Sequence, residues 1–134
     1  MENIHFLTRK GATCTDLLSC LYNLKTVDIA AFYEVAKREQ ATLDQIAEAV
    51  ERDRSSTHRC LAKLVSAGLV SKQSRTLKGG GYYHVYNIVE PPKIKERARQ
   101  RVKEITKSLE ELLARFEHDF SLHLNANLQE TKAE

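Results

Sequence analysis

The spacing of apolar residues predicts four short helices in the first half of the chain. The first covers Asp16–Leu24, the second follows Asp28 as its N-cap, and the third opens at Thr42. The fourth is expected to be capped by Ser55 or Ser56. In each, apolar residues recur three or four positions apart, which is the spacing of one buried helix face.

The pattern changes to that of a β-hairpin after Gly68, a residue suited to the left-handed position that ends a helix. Two strands are predicted over 69–75 and 82–89, the second rich in aromatic and β-branched residues. The proline pair at 91–92 is expected to end the sheet. The tip between the strands holds three consecutive glycines, Gly79, Gly80 and Gly81.

From residue 93 the pattern predicts one long helix with a heptad seam. Such a helix leaves an apolar stripe in water and needs a partner, so we expect a homodimer. The expected interface combines apolar residues of the first predicted helix and of the seam: Leu17, Leu21, Ala98, Val102, Ile105, Leu109, Leu112, Phe116 and Phe120.

Together these elements predict a mainly α fold with a small β-hairpin wing, a winged helix-turn-helix with a long C-terminal dimerisation helix. Residues 1–12 are expected to form an N-terminal arm and residues 13–92 the winged domain with its N-terminal dimerisation helix. The long helix is expected over 93–128, followed by a frayed tail at 129–134.

Composition narrows the possible classes of protein. The 134 residues suit one domain, and no uncharged run is long enough for a membrane span. The N-terminus lacks the pattern of a signal peptide, so a cytoplasmic location is expected. Three cysteines without a close pair argue against a disulfide framework or a zinc site, and neither metal nor cofactor is expected.

The net charge is +3, but the basic and acidic residues are strongly segregated along the sequence. Residues 52–78 carry seven basic and one acidic side chain, and residues 91–107 carry seven basic and two acidic ones. Two basic blocks in a nearly balanced chain indicate a surface that faces a polyanion. Double-stranded DNA is therefore the expected partner, with the fourth helix in the major groove and the wing on the minor groove or backbone.

The fourth predicted helix supplies the first set of candidate DNA contacts. Arg59 has the position and chemistry to bind a guanine edge, and Ser55 and Ser56 could hold a phosphate through hydroxyls and free backbone N–H groups. Small Ala62 would let the helix approach closely. The full set is Arg52, Arg54, Ser55, Ser56, His58, Arg59, Ala62 and Lys63. The wing adds Lys72, Arg75, Lys78, Gly79, Gly80 and Gly81.

The segments 41–50 and 53–70, followed by Gly79-Gly-Gly-Tyr-Tyr-His-Val-Tyr, resemble those of archaeal TrmB-like and MarR-like winged-helix regulators. The resemblance implies a dimeric repressor or activator whose recognition positions are Ser55, Ser56, His58, Arg59 and Lys63. Thr57 departs from the usual valine or isoleucine. The sugar-binding C-terminal domain of full-length TrmB proteins is not expected here, so the resemblance leaves the effector open.

Two other functions fit the same residues. A winged helix can serve as a protein-interaction module in a transcription complex, and the basic side chains could bind DNA without sequence preference, as chromatin proteins do. An enzyme is not expected, because no catalytic arrangement or nucleotide loop is present. A redox switch at Cys14 and Cys20 and a metal site at His118 and His123 are weaker hypotheses. The operator, the target genes and the sign of regulation stay open.

Overall fold

The computed structural model describes residues 4–133. Residues up to Ala98 form one compact unit, and residues from Arg99 onward form a second. The elements in chain order are α1 (Ile4–Leu7), α2 (Cys14–Tyr22), α3 (Thr26–Ala36), α4 (Leu43–Val50), α5 (Arg54–Ser66), β1 (Val70–Thr76), β2 (Tyr82–Ile88), α6 (Pro91–Ala114) and α7 (Phe116–Ala133).

Helix α4 starts where the sequence predicts, after Thr42, whereas α2 begins at Cys14, two residues before the predicted Asp16. Thr13 caps α2 in a capping box with Asp16, whose carboxylate accepts the Thr13 N–H at 2.9 Å. Thr42 caps α4 in the same way, and the Gln45 side chain accepts the Thr42 N–H at 2.9 Å. Each capping box provides acceptors for two backbone N–H groups that have no hydrogen-bond partner within the helix.

Two other helix starts lie earlier than expected. Helix α3 begins at Thr26, so Asp28 lies inside its first turn and accepts the Lys25 N–H at 2.8 Å instead of capping the helix. Helix α5 begins at Arg54, and Asp53 is its cap. Asp53 comes shortly before the predicted caps Ser55 and Ser56, and aspartate caps a helix about as well as serine does. Helix α5 can therefore begin earlier than expected.

A tight turn at Gly68 ends α5, as the sequence predicts. Gly68 has a φ of 76°, its N–H donates to Val65 O, and the Leu69 N–H donates to Leu64 O, both at 3.0 Å. This is the Schellman pattern, in which glycine meets the left-handed requirement without strain. The chain therefore passes from the end of α5 directly into β1.

The core of the first unit lies among α3, α4, α5 and the sheet. Apolar residues that the helical spacing placed inward, such as Ile46, Leu61 and Leu64, are fully buried. Ala41 pairs with β2 in an isolated antiparallel β-bridge, in which it exchanges backbone hydrogen bonds with Tyr86 at 2.9 and 2.7 Å. This bridge ties the segment before α4 to the hairpin.

Strands β1 and β2 pair antiparallel, from Val70 opposite Ile88 to Thr76 opposite Tyr82. Residues 77–81 form the connecting loop. The result is a two-stranded hairpin that contacts α5 through β1 and contacts α3 and α4 through β2. Helices α2 to α5 followed by this hairpin confirm the predicted winged helix-turn-helix.

The C-terminal half departs from one continuous helix. The prolines at 91–92 start α6 rather than only ending the sheet, because the first turn of a helix needs no N–H donor there. Helix α6 ends at Ala114 and α7 begins at Phe116, so the predicted long helix is interrupted at Arg115. Helix α7 extends to Ala133, past the expected start of the frayed tail.

The N-terminal segment also differs from the expected arm, because α1 lies at Ile4–Leu7 within it. Among residues 4–133, no helix combines the length and the apolar character needed to cross a membrane.

Candidate nucleic-acid interface

Helices α4 and α5 form the helix-turn-helix. The turn between them is short, and Glu51 takes a left-handed conformation with a φ of 56°. The Arg52 N–H donates to Ala47 O at 3.0 Å, which closes the end of α4. The short turn fixes the direction in which α5 leaves the core.

The exposed face of α5 is the one that the sequence predicts. Thr57, Cys60, Leu61 and Leu64 are buried, and the Thr57 hydroxyl donates to Asp53 O at 2.8 Å. A threonine is therefore accommodated in the core because its hydroxyl is satisfied within the helix. The side chains exposed on the opposite side are Ser55, His58, Arg59 and Ala62.

The N-terminal end of α5 is less open to a phosphate than expected. The Ser56 N–H donates to the Asp53 carboxylate at 2.7 Å, so this N–H is not available to a ligand. The Ser56 hydroxyl accepts a hydrogen bond from Arg59 at 3.1 Å. Hydrogen bonds from the Ser56 side chain and backbone lower the pKa of Asp53. The Asp53 carboxylate thus accepts one of the backbone N–H groups that were predicted to hold a phosphate.

Arg54 is also engaged within the protein. Its guanidinium donates to the Asp44 carboxylate of α4. Both side chains are exposed, at 65% and 72%. This ion pair is well solvated and can exchange for a phosphate, but it joins the two helices in the absence of DNA.

Lys63, one of the predicted DNA-contact residues, is engaged in an ion pair within the protein. Its ammonium group donates to the Asp28 carboxylate of α3 at 2.8 Å, and Asp28 is only 4% exposed. The lysine therefore neutralises a buried charge between α3 and α5. Sequence reasoning missed the pair because the two residues are 35 positions apart and no periodicity links them.

The environment of Asp28 keeps it ionised. Burial raises the pKa of this carboxyl, but hydrogen bonds from Lys63, the Lys25 N–H and the Cys60 thiol together hold the pKa below its usual value. Burial and the Asp28 carboxylate raise the pKa of Cys60. Burial and the raised pKa of Cys60 both disfavour its thiolate, which is the reactive form of the side chain.

On the wing, the basic residues differ in how they are held. Lys72 and Lys78 are exposed, and neither makes an ion pair within the described part of the chain. Arg75 is partly buried and donates to the Gln40 and Gln73 side chains at 3.3 and 2.8 Å. Arg75 thus fixes the hairpin to the segment before α4, a role that the sequence did not indicate.

The three glycines of the wing tip are required by the backbone. Gly79, Gly80 and Gly81 have φ values of 90°, 106° and 82°. Residues with a Cβ rarely adopt these values. At Gly79 and Gly80 a Cβ would meet no atom within 4 Å, so conformation and not space excludes other residues.

Arg97 of α6 contacts the turn between α5 and β1. The Arg97 guanidinium donates to Gly68 O at 2.7 Å. A Cβ at Gly68 would clash with that guanidinium nitrogen. Gly68 is therefore needed for the turn and for this contact, which sequence reasoning missed.

The residues predicted for dimerisation fall into three groups by exposure. Leu21 and Ala98 are buried within the chain, each 7% exposed, so they have little surface left for a partner. Leu17 and Ile105 are partly buried. The seam residues that remain exposed are Val102, Leu109, Leu112, Phe116 and Phe120.

The second unit exposes further apolar side chains that the seam did not include. Within that unit, the rings of Phe116 and Phe120 stack at a centroid distance of 5.3 Å. The additional exposed apolar residues are Leu113, Leu122, Leu124 and Leu128.

Residues 4–133 hold no cluster of three or more potential metal ligands.

Comparison with known proteins agrees with this architecture. A possible transcriptional regulator from Methanosarcina mazei Go1 has a similar structure, with a TM-score of 0.69 and 20% identity over 81% of this chain and 95% of that one. The ST1889 protein of Sulfolobus tokodaii matches with a TM-score of 0.58 and 18% identity over 71% of this chain and 93% of that one. At these identities, the likeness shows the fold.

A sequence relative and a family model identify the family to which the chain belongs. The uncharacterized protein MJ1503 of Methanocaldococcus jannaschii is 30% identical over 92 residues, which are 69% of this chain and 70% of the relative. The family model described as "Sugar-specific transcriptional regulator TrmB" matches residues 18–92, from α2 through the wing to the start of α6. The resemblance found in the sequence is confirmed, and the chain belongs to the TrmB family of transcriptional regulators.

Proposed function

We propose that the protein binds specific sites in double-stranded DNA as a homodimer and regulates transcription there, in the cytoplasm. The observation that carries the proposal is the charge of the exposed surface on α5 and the wing. The hairpin residues 70–88 include three basic side chains and no acidic one. In a winged helix these two elements are the ones offered to the major groove and to the adjacent minor groove or backbone.

Three roles are proposed for the basic residues of α5 and the wing. Arg59, on the exposed face of α5, is proposed to read a guanine edge, with Ser55 and His58 beside it. Lys72 and Lys78 are proposed to bind phosphates, since they hold no ion pair in the described chain. Lys63 is proposed to act only by positioning α5 through Asp28.

The homodimer is proposed to form through the exposed seam of α6 and α7. Leucine and phenylalanine side chains that stay about half exposed in one chain favour burial against a second copy. A twofold dimer would carry two copies of α5, one for each half-site of an operator. The half-sites of an operator would be about 10–10.5 base pairs apart, one helical turn.

The test is selection of binding sites from a random duplex pool, followed by a salt titration on the enriched sequences. An enriched inverted repeat with half-sites about one turn apart would support a dimeric, sequence-specific regulator. Salt-dependent binding without enrichment would overturn specificity and favour a chromatin-like role. Failure to bind any duplex would overturn DNA binding and favour a protein partner.

Two variants separate base reading from phosphate binding. Arg59→Ala is expected to weaken binding by about 1–3 kcal/mol and to relax specificity at one base pair. Lys78→Ala is expected to weaken binding to all sequences alike and to lower the salt slope by about one unit. Equal effects of both variants on every sequence would contradict this division of roles.

A further inference from the structure

The tip of the wing presents only two side chains. Of the loop residues 77–81, three are glycines, and the others are Leu77 and Lys78. A loop so poor in side chains can enter a narrow space that a bulkier turn could not. Whatever the tip contacts is therefore met by one apolar and one basic side chain.

Leu77 is held in place although its side chain is open to solvent. Its N–H donates to Gly81 O at 3.0 Å, and its carbonyl accepts the Gly80 N–H at 3.3 Å. The side chain is 51% exposed and lies across Gly81, with Cδ1 3.8 Å from the position of a Cβ there. Leu77 is thus an exposed leucine on a backbone fixed by both of its polar groups.

The surroundings of Leu77 indicate a nucleic acid rather than an apolar protein surface. Lys78 is its neighbour in the chain, Lys72 and Arg75 lie on the adjacent strand, and the hairpin has no acidic side chain. Tyr82, the first residue after the loop, is 68% exposed and contacts the His84 ring edge-on at 5.5 Å. An apolar residue at the tip of a positively charged hairpin suits insertion between base pairs from the minor groove, whose walls carry phosphates and whose floor is formed by base-pair edges.

We propose that Leu77 is a wedge that the wing inserts between two base pairs from the minor groove, so that the protein bends the DNA that it binds. The inference rests on the proposed binding of DNA and adds a deformation to it. An inserted leucine partly unstacks one base step and kinks the duplex. Flexible steps such as TA or CA are the easiest to unstack, so the step beneath the wing should be of this kind.

The test measures the bend in a duplex selected by the wild-type protein, by energy transfer between dyes at its two ends. The wild-type protein is expected to bend the duplex by about 20–90°. Leu77→Ala is expected to remove at least half of that bend and to weaken binding several-fold without changing the salt slope. Leu77→Met, which keeps a flexible apolar side chain, is expected to retain the bend.

Lys78→Ala is the matched control, because it truncates the neighbouring tip residue. It is expected to lower the salt slope and to leave the bend unchanged. Wild-type binding to a straight duplex, or a full bend with Leu77→Ala, would overturn the wedge and leave the proposed DNA binding intact. Absence of wild-type binding would overturn both proposals, so the two failures are distinguishable.

Discussion

The two compact units of the chain treat their apolar residues in opposite ways. In the first unit, Leu61 and Leu64 are completely buried among α3, α4, α5 and the sheet. In the second, Leu109 and Leu112 are about half exposed and Leu113 is 74% exposed. The leucine side chains compared are thus buried in a core in the first unit, whereas in the second unit they are largely exposed to solvent.

This difference shows where the chain depends on itself and where it depends on a partner. The first unit closes its core with its own elements and satisfies its buried polar side chains among the described residues. The second unit consists of helix without a sheet or a crossing helix of its own in the described chain. Isolated helices are marginal in water, so the stability of the second unit should depend on association.

The largest effect is expected from a cavity in the first unit. Leu64→Ala removes a fully buried side chain and is expected to lower the free energy of unfolding by about 2–5 kcal/mol. Urea unfolding followed by circular dichroism measures this loss, which should not depend on protein concentration. The control, Leu77→Ala at an exposed leucine of the same unit, should stay within about 0.5 kcal/mol of wild type.

A smaller effect on association is expected from the seam. The double variant Leu109→Ala, Leu112→Ala removes two half-exposed side chains and is expected to weaken self-association by about 10–100-fold, or about 1.4–2.7 kcal/mol. Sedimentation equilibrium measures the dissociation constant. Leu113→Ala, at a neighbouring position outside the seam, is the control. An equal loss with both proteins would show that the heptad seam does not define the interface.

Much of the first unit follows from local rules in the sequence. The Thr42–Gln45 capping box, the glycine after α5 and the three glycines of the wing tip each act within a few residues. Helical spacing likewise identified the buried face of α5 and, by exclusion, the exposed position of Arg59. Such features are predictable because neighbouring residues alone determine them.

The parts that the sequence did not predict depend on contacts over long separations. Lys63 reads as one more basic residue of the recognition helix until α3 brings Asp28 beside it. Arg75 reads as a phosphate contact until the fold places Gln40 within reach. A basic side chain can pair with DNA or with the protein, and the sequence alone does not distinguish these partners.

The Lys63–Asp28 pair provides a third prediction. Lys63→Met leaves a buried carboxylate without its cation and is expected to lower the free energy of unfolding by about 1–3 kcal/mol. The value lies below that of a fully buried pair because Lys63 is 34% exposed. Lys72→Met on the wing is the control for charge and should be nearly neutral.

Adding Asp28→Asn to Lys63→Met tests the cause of that loss. The amide removes the uncompensated charge, so the double variant should be more stable than the sum of the two single effects predicts. Additive losses would show that the two side chains do not interact in solution. The slope of DNA affinity against salt should be unchanged by Lys63→Met, since the proposal gives this lysine no phosphate.

The smallest expected effect is the acid sensitivity of the first unit. The pKa values of Asp28 and Asp53 are lowered in the folded protein, so both carboxylates bind protons more readily after unfolding. Their contribution is therefore present above the unfolded pKa of about 4 and is lost as the pH falls through the folded values. The free energy of unfolding should decrease with acidification below about pH 4.

Asp53→Asn isolates one of these carboxylates, because asparagine caps a helix about as well as aspartate but does not titrate. The variant should unfold with an uptake smaller by up to one proton, read from the slope of the unfolding free energy against pH. Lys78→Ala, which leaves every carboxylate in place, should keep the wild-type slope. A wild-type slope in Asp53→Asn would show that the Asp53–Ser56 hydrogen bond does not lower the pKa of Asp53 in the folded protein.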